Sequence, residues 1–356
     1  MGSIYTYIKK YKDKTFKEKK FNDIDNLILS MVSYNSFEKI FDDVEDNTIY
    51  SLGKRYTEKY TLKIVLQKGI MYEEPYKILK EIYKTKRYKD IIVSDYEYVY
   101  NVKTQFCAMT FKINNNLSYI AFEGTDHSIV GWKEDGELAC FYPISSQRYA
   151  IKYLKKHINI FGPRYIVGGH SKGGNLALVG CMNLNPLQQY KVKKIYSNDG
   201  PGLREREFKS KKYRLVKHKY EHIVPSTSVI GVLLRNDKYT VVECSKKNIQ
   251  SHTPTTWEID NDELVLSELS LKSKRLERSI ISWLDKHDDR ERKKLIYDLF
   301  NMLDESNIEN VMELKSLKKL VSLYFKTRKL DKETQDLFWD LILYNFKSVQ
   351  KGIDEL

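Results

Sequence analysis

Four of the chain's 16 glycines fall within the seven residues Gly168–Gly174, inside the stretch YIVGGHSKGGNLALVG. That clustering, more than any compositional figure, limits what the chain can become. A β-branched run ends, glycines flank Gly169-His170-Ser171-Lys172-Gly173, and a run of helix formers follows. A serine that must stand proud of a sheet edge needs a sharp, strained strand-to-helix turn. Neighbouring backbone then approaches so closely that the positions two before and two after it must lack side chains. The stretch therefore predicts a strand over 165–167, a nucleophile elbow at Ser171 and a helix over 175–179. A phosphate-cradling loop is the competing use of clustered glycine, but GxSxG lacks the GxxxxGK[ST] spacing.

The remaining pattern supplies a sheet for such a turn. IIVSDYEYVY (91–100), QFCAMTFKI (105–113) and SYIAFEGT (118–125) read as strands, the last two joined as a hairpin through Asn114–Asn116. RYIVGGHS (164–171), KKIYSNDG (193–200), YRLVKHKY (213–220) and KYTVVEC (238–244) read as further strands, and a serine-capped helix is expected over Ser146–His157. Strands alternating with helices predict an α/β fold with a mostly parallel central sheet covered on both faces. FNDIDNLILSMVSY places Ile24, Leu27, Ile28 and Met31 on one helical face behind an Asn22 cap, and helical character recurs at Tyr76–Tyr83. Past residue 258 helical spacing returns at Leu276/Ile280/Leu284, Leu295/Leu299/Leu303 and Leu337/Leu341/Tyr344. The expected organisation is a mainly helical segment 1–88 packed on the core, an α/β core 89–260 and a C-terminal helical region 261–356.

In an elbow-bearing fold the triad runs Ser, acid, His. Of the downstream histidines, His218 falls within an expected strand and His287 in the helical tail. His222 follows the YRLVKHKY strand, one strand too early. His252, in the loop QSHTP after the last long strand, is the expected base. Asp199, in SNDGPG, is the expected acid; Glu221, beside IVP, is the alternative. The oxyanion donors expected are the Lys172 amide, at the start of the helix, and Thr125, whose amide and hydroxyl lie in the FEGTD turn.

Lys and Arg number 61 against 48 Asp and Glu, a net charge of +13. Acids are interleaved among the lysines, so a solvated surface accounts for most of the excess, and no nucleic-acid partner is expected. An anionic membrane surface is a partner this charge allows. The four cysteines lie far apart without CxxC spacing, which argues against zinc and against a disulfide framework. The first twenty residues hold no apolar run of signal-peptide type, and nowhere do about eighteen apolar residues run uninterrupted. A cytoplasmic protein with reduced thiols and no metal or organic cofactor is expected; its oligomeric state stays open.

FEGTDHSIVGWKED, GHSKGGNLA, SNDGPG, IVPSTSVIGVLL and HTPTTW together resemble the Mbeg1-like family of bacterial proteins, which is similar in turn to the class 3, fungal-type lipases. The likeness extends to the opening helix and is weakest over the last eighty residues. It implies an α/β-hydrolase fold, Ser171 as nucleophile, Thr125 at the oxyanion site and His252, five residues before Trp257, as base. Two departures stand out. The family often reads Gln-His-Asp where this chain has Gln250-Ser251-His252-Thr253. Class 3 lipases also carry their acid just before Ile-Val-Pro, where this chain has His222 with Glu221 one earlier, and that moves weight to Asp199. The function implied is a serine hydrolase acting on a carboxylic ester of a small molecule or lipid. A thioesterase or acyltransferase on the same triad and a non-catalytic binding module are the alternatives.

Overall fold

The computed structural model describes residues 2–41, 46–126, 128–306, 327 and 330–350; side chains are described up to Leu341 and excluding Lys68. Helices α1 (Ile4–Tyr11), α2 (Asp23–Val32), α3 (Ile49–Lys59), α4 (Leu62–Lys68) and α5 (Glu73–Ile82) precede the sheet. Strands β1 (Ile92–Asn101), β2 (Thr104–Asn114) and β3 (Leu117–Phe122) follow. After α6 (Ile129–Glu137) and α7 (Ser145–His157) come β4 (Arg164–His170), α8 (Lys172–Met182), α9 (Pro186–Lys191) and β5 (Val192–Asn198). Next are α10 (Glu205–Phe208), α11 (Lys211–Val216), β6 (Tyr220–Pro225) and β7 (Thr240–Val242). A two-stranded ribbon β8 (Ile259–Asp260) and β9 (Glu263–Leu264) leads to α12 (Leu271–Lys286), α13 (Asp289–Asp304) and α14 (Lys332–Gln350).

The seven main strands lie in chain order, β1 to β7. β1–β2–β3 pair antiparallel, and β3 to β7 pair parallel. Right-handed crossovers that step one way along a sheet leave their helices on one face. That face carries α7, α8 and α11, whose Tyr153, Leu154, Leu176, Val179, Tyr213 and Val216 pack with Phe106, Ala108, Ile120, Phe122, Val167 and Ile195. The residues alternating with these in the strands (Cys107, Met109, Tyr119, Ala121, Ile166 and Tyr196) point the other way and are covered by the N-terminal helices.

Those helices are held by specific bonds as well as burial. Asn22 caps α2, accepting from the Ile24 and Asp25 amides. Asp25 receives Arg87 through Nε at 2.9 Å and Nη2 at 2.5 Å, plus the Tyr88 hydroxyl at 2.6 Å, all buried. This bidentate pair fastens α2 to the segment entering β1. The C-terminal helices pack on one another through Trp283, Leu295, Leu299, Leu337 and Leu341, and α13 rests on α6 through Met302 and Ile129. Tyr344 lies outside the described side chains.

Three expectations are corrected. YRLVKHKY is not a strand: Ser210 caps α11 by accepting from the Tyr213 amide, and Tyr213 and Val216, three apart, bury one helical face. The strand begins only at Tyr220, so His218 sits in a 3-10 turn and His222 lies inside β6. Helix α7 opens at Ser145 with Ile144 at the cap position, where the Ile144 amide donates to Gln147 Oε1 at 2.9 Å. At the elbow, β4 runs on to His170 and α8 starts at Lys172, a sharper turn than the sequence pattern implies.

Candidate active site

Ser171 alone separates β4 from α8, and it has φ 57° and ψ −134°. Few non-glycine residues occupy that region, and neighbours must hold it there. The Ser171 amide donates to the Asn198 carbonyl at 3.0 Å. Asn198 is tied in turn to α2 through Asn26 and Ser30. A Cβ on Gly173 would lie 2.2 Å from the Phe122 carbonyl, and one on Gly169 would lie 2.5 Å from Gly173 itself. The flanking glycines are therefore a packing requirement, as the sequence pattern implied.

The structure brings Asp199 and His252 together. Asp199 follows β5 directly with φ 51°, and its carboxylate is fully buried. His252 Nδ1 donates to Asp199 Oδ2 at 2.6 Å, while Oδ1 accepts from Ser228 Oγ at 2.5 Å and the Gly231 amide at 3.0 Å. Nδ1 thus carries the proton, and Nε2 is the ring nitrogen able to accept one. The His252 turn is anchored behind: Trp257 Nε1 donates to the Ser251 carbonyl at 2.8 Å, and Ser251 Oγ donates to the Asn248 carbonyl at 2.6 Å. The serine that interrupts the family's Gln-His-Asp is a buried fixing point.

On the other side of His252 is His170, one residue before Ser171. The two rings lie 4.3 Å apart between centroids, and His170 Nε2 donates to the His252 carbonyl at 2.8 Å. No hydrogen bond joins Ser171 Oγ to His252 Nε2 among the described residues. Glu221 is turned elsewhere: it accepts from Thr240 Oγ1 and lies 3.6 Å from Lys194. His222 is buried in β6, and burial holds its ring down at about 4.

The Lys172 amide opens α8, where first-turn N–H groups have no carbonyl within the helix. Its side chain turns inward: Nζ donates to Gln105 Oε1 at 2.7 Å and the Gln105 carbonyl at 3.1 Å, and pairs with Glu134 Oε2 at 3.2 Å. The loop after β3 lies against the elbow, since a Cβ on Gly124 would come within 3.0 Å of Ser171 Cβ. Thr125 follows, but its hydroxyl is committed to Asp135, at 2.8 and 2.7 Å from the two oxygens. Only its amide can serve as the expected donor. Burial, with some help from Glu134, raises the Asp135 carboxyl to about 6, against the opposing pull of Lys172 and the Thr125 hydroxyl. All four cysteines are free thiols, and no group of three or more metal-ligating side chains occurs among the described residues. No helix of the described residues is long and apolar enough to cross a membrane.

Of the residues expected from the sequence, the structure puts Asp199 and His252 in contact and Ser171, Lys172 and Thr125 around the same turn; Ser228, Gly231, Asp135 and the side-chain contacts of His170 and Lys172 were not expected. Ser228 and Gly231 sit in IVPSTSVIGVLL, where nothing local marks them as partners of a residue some thirty positions earlier.

A mostly parallel sheet whose inner strand turns through a positive-φ serine into a helix defines the α/β-hydrolase fold. A model of the Mbeg1-like family matches residues 82–301. The chain belongs to the Mbeg1-like family. Among solved structures, the crystal structure of M37 lipase is similar at 15% identity over 74% of this chain and 81% of that one, with a TM-score of 0.35. No curated protein matches the sequence.

Proposed function

We propose that the protein is a serine hydrolase that cleaves a carboxylic ester through Ser171, His252 and Asp199. The observation carrying this reading is the 2.6 Å bond from His252 Nδ1 to a fully buried Asp199, set beside a strained serine elbow. That bond fixes the imidazole tautomer with Nε2 unprotonated, as a base requires. Nε2 takes the Ser171 proton as Oγ attacks the ester carbonyl. Negative charge on the carbonyl oxygen is met by the Lys172 and Thr125 amides and the positive end of α8. The tetrahedral adduct collapses, His252 returns the proton to the leaving alcohol, and an acyl-Ser171 remains. Water then repeats the sequence and frees the acid and the serine.

The Asp199 carboxylate stabilises the imidazolium formed in each half, with Ser228 and Gly231 donating to its other oxygen. The substrate class is an acyl ester of a small molecule or lipid. A labelled fluorophosphonate tests the reading: wild type should be labelled and turn over short p-nitrophenyl esters, and Ser171→Ala should do neither. Labelling that survives Ser171→Ala removes it.

A further inference from the structure

His170 occupies the first variable position of the elbow, and the mechanism above gives it no task. Its environment is nonetheless specific. The ring is buried, and both nitrogens are used: Nε2 meets the His252 carbonyl at 2.8 Å, and Nδ1 meets the Tyr34 hydroxyl at 2.8 Å. A carbonyl oxygen can only accept, so Nε2 must bear the proton. Burial and the nearby His252 ring hold His170 well below the ordinary imidazole range, so it is neutral and Nδ1 accepts from Tyr34. Tyr34, two residues beyond the end of α2, is buried too, and its phenol stays protonated because burial and the carboxylates of Glu123 and Asp135 oppose ionisation. The His252 carbonyl therefore fixes the tautomer of His170, and the Tyr34 hydroxyl satisfies the unprotonated Nδ1 that this tautomer leaves.

We propose that His170 is a positioning residue, set by Tyr34, that fixes the main chain of His252 relative to Ser171. The proposal rests on the ester-cleaving reading given above. A filler at this position would need shape alone, and a leucine or phenylalanine would supply it without the desolvation of two ring nitrogens. The bond links the residue before the nucleophile to the backbone of the base. His252 is thereby held at two points, its Nδ1 by Asp199 and its carbonyl by His170, and little freedom remains for the ring to turn. Ring contact at 4.3 Å limits the same motion from the side. Through Tyr34, two residues past α2, the N-terminal helices reach the alignment of the base.

Placement errors near 1 Å cost about 100-fold in rate. Steady-state hydrolysis of p-nitrophenyl butyrate, with thermal melting in parallel, reads the effect. His170→Phe keeps an aromatic ring and removes the N–H; its kcat should fall by about 10- to 100-fold, with KM changed by no more than about twofold. His170→Gln places an amide N–H near the former Nε2 and should recover kcat to within about fivefold. Tyr34→Phe leaves the buried Nδ1 without its donor and the ring less firmly held, and should lower kcat several-fold at constant KM. A folded His170→Phe with wild-type kcat overturns the proposal, as does a His170→Gln as slow as His170→Phe. If His170→Phe does not fold, Tyr34→Phe decides: slower kcat at unchanged KM supports the proposal, and wild-type kcat overturns it. A wild type that neither hydrolyses the ester nor labels at Ser171 is a different result, and removes the underlying reading instead.

Discussion

Replacing Lys172 by methionine tests whether the elbow's second variable side chain is a structural clamp. Lys172 and Glu134 are both buried, and the ammonium sits 3.2 Å from Glu134 Oε2. Glu134 also accepts from the Gln105 amide at 3.1 Å and the Ser146 amide at 2.9 Å. Methionine fills most of the lysine's volume and leaves Glu134 charged with only these two neutral donors. Breaking a buried pair by removing one partner costs about 3–5 kcal/mol, and the two amides place this case near the lower end, at about 3 kcal/mol. With roughly 2 cal/mol/K of unfolding entropy per residue, a chain this long loses only about 4 °C in Tm. Urea unfolding followed by tryptophan fluorescence is the better assay. The double variant Lys172→Met/Glu134→Gln removes both charges and should regain at least about 2 kcal/mol, a coupling typical of contacting residues. A single-variant cost below about 1 kcal/mol, or a Glu134→Gln change that adds its own penalty to that of Lys172→Met, would refute the argument that this pair clamps the elbow to α6.

Two further outcomes follow from the site. Asp135 has its carboxyl raised from 3.8 to about 6, so the folded state favours the protonated form. Its contribution to stability is complete below about pH 4 and disappears as pH rises through 6; urea midpoints should decline across that window, and Asp135→Asn should flatten the decline. Ser171 holds φ 57°, a conformation glycine adopts without strain. Ser171→Gly should therefore unfold about 1 kcal/mol later than Ser171→Ala, and equal urea midpoints for the two would count against strain at the elbow.

The elbow was legible because its glycines answer a local steric demand, and Asp199 and His252 because each sits at a strand end or loop beyond it. YRLVKHKY misled because its β-branched and aromatic residues fit a strand as well as a one-turn helix, and the arbiter was the Ser210 cap with burial of Tyr213 and Val216. Lys172 read from sequence as a backbone donor only; that its ammonium is buried depends on Glu134 and Gln105, 38 and 67 residues earlier. The Thr125 hydroxyl, offered by the sequence alongside the amide, is captured by Asp135 ten residues on. Such assignments are decided by which side chains tertiary packing delivers, and no short-range pattern encodes that.

The strand order has a consequence for how the chain is made. One sheet face is covered by helices synthesised before any strand exists. As the polypeptide leaves the ribosome, the greasy sides of α1–α5 must wait for Tyr119, Ile166 and Tyr196 to arrive, more than a hundred residues later in the last case. Trimming α1–α5 in search of a minimal domain would strip one whole side of the sheet bare and leave Arg87 without its carboxylate partner, Asp25.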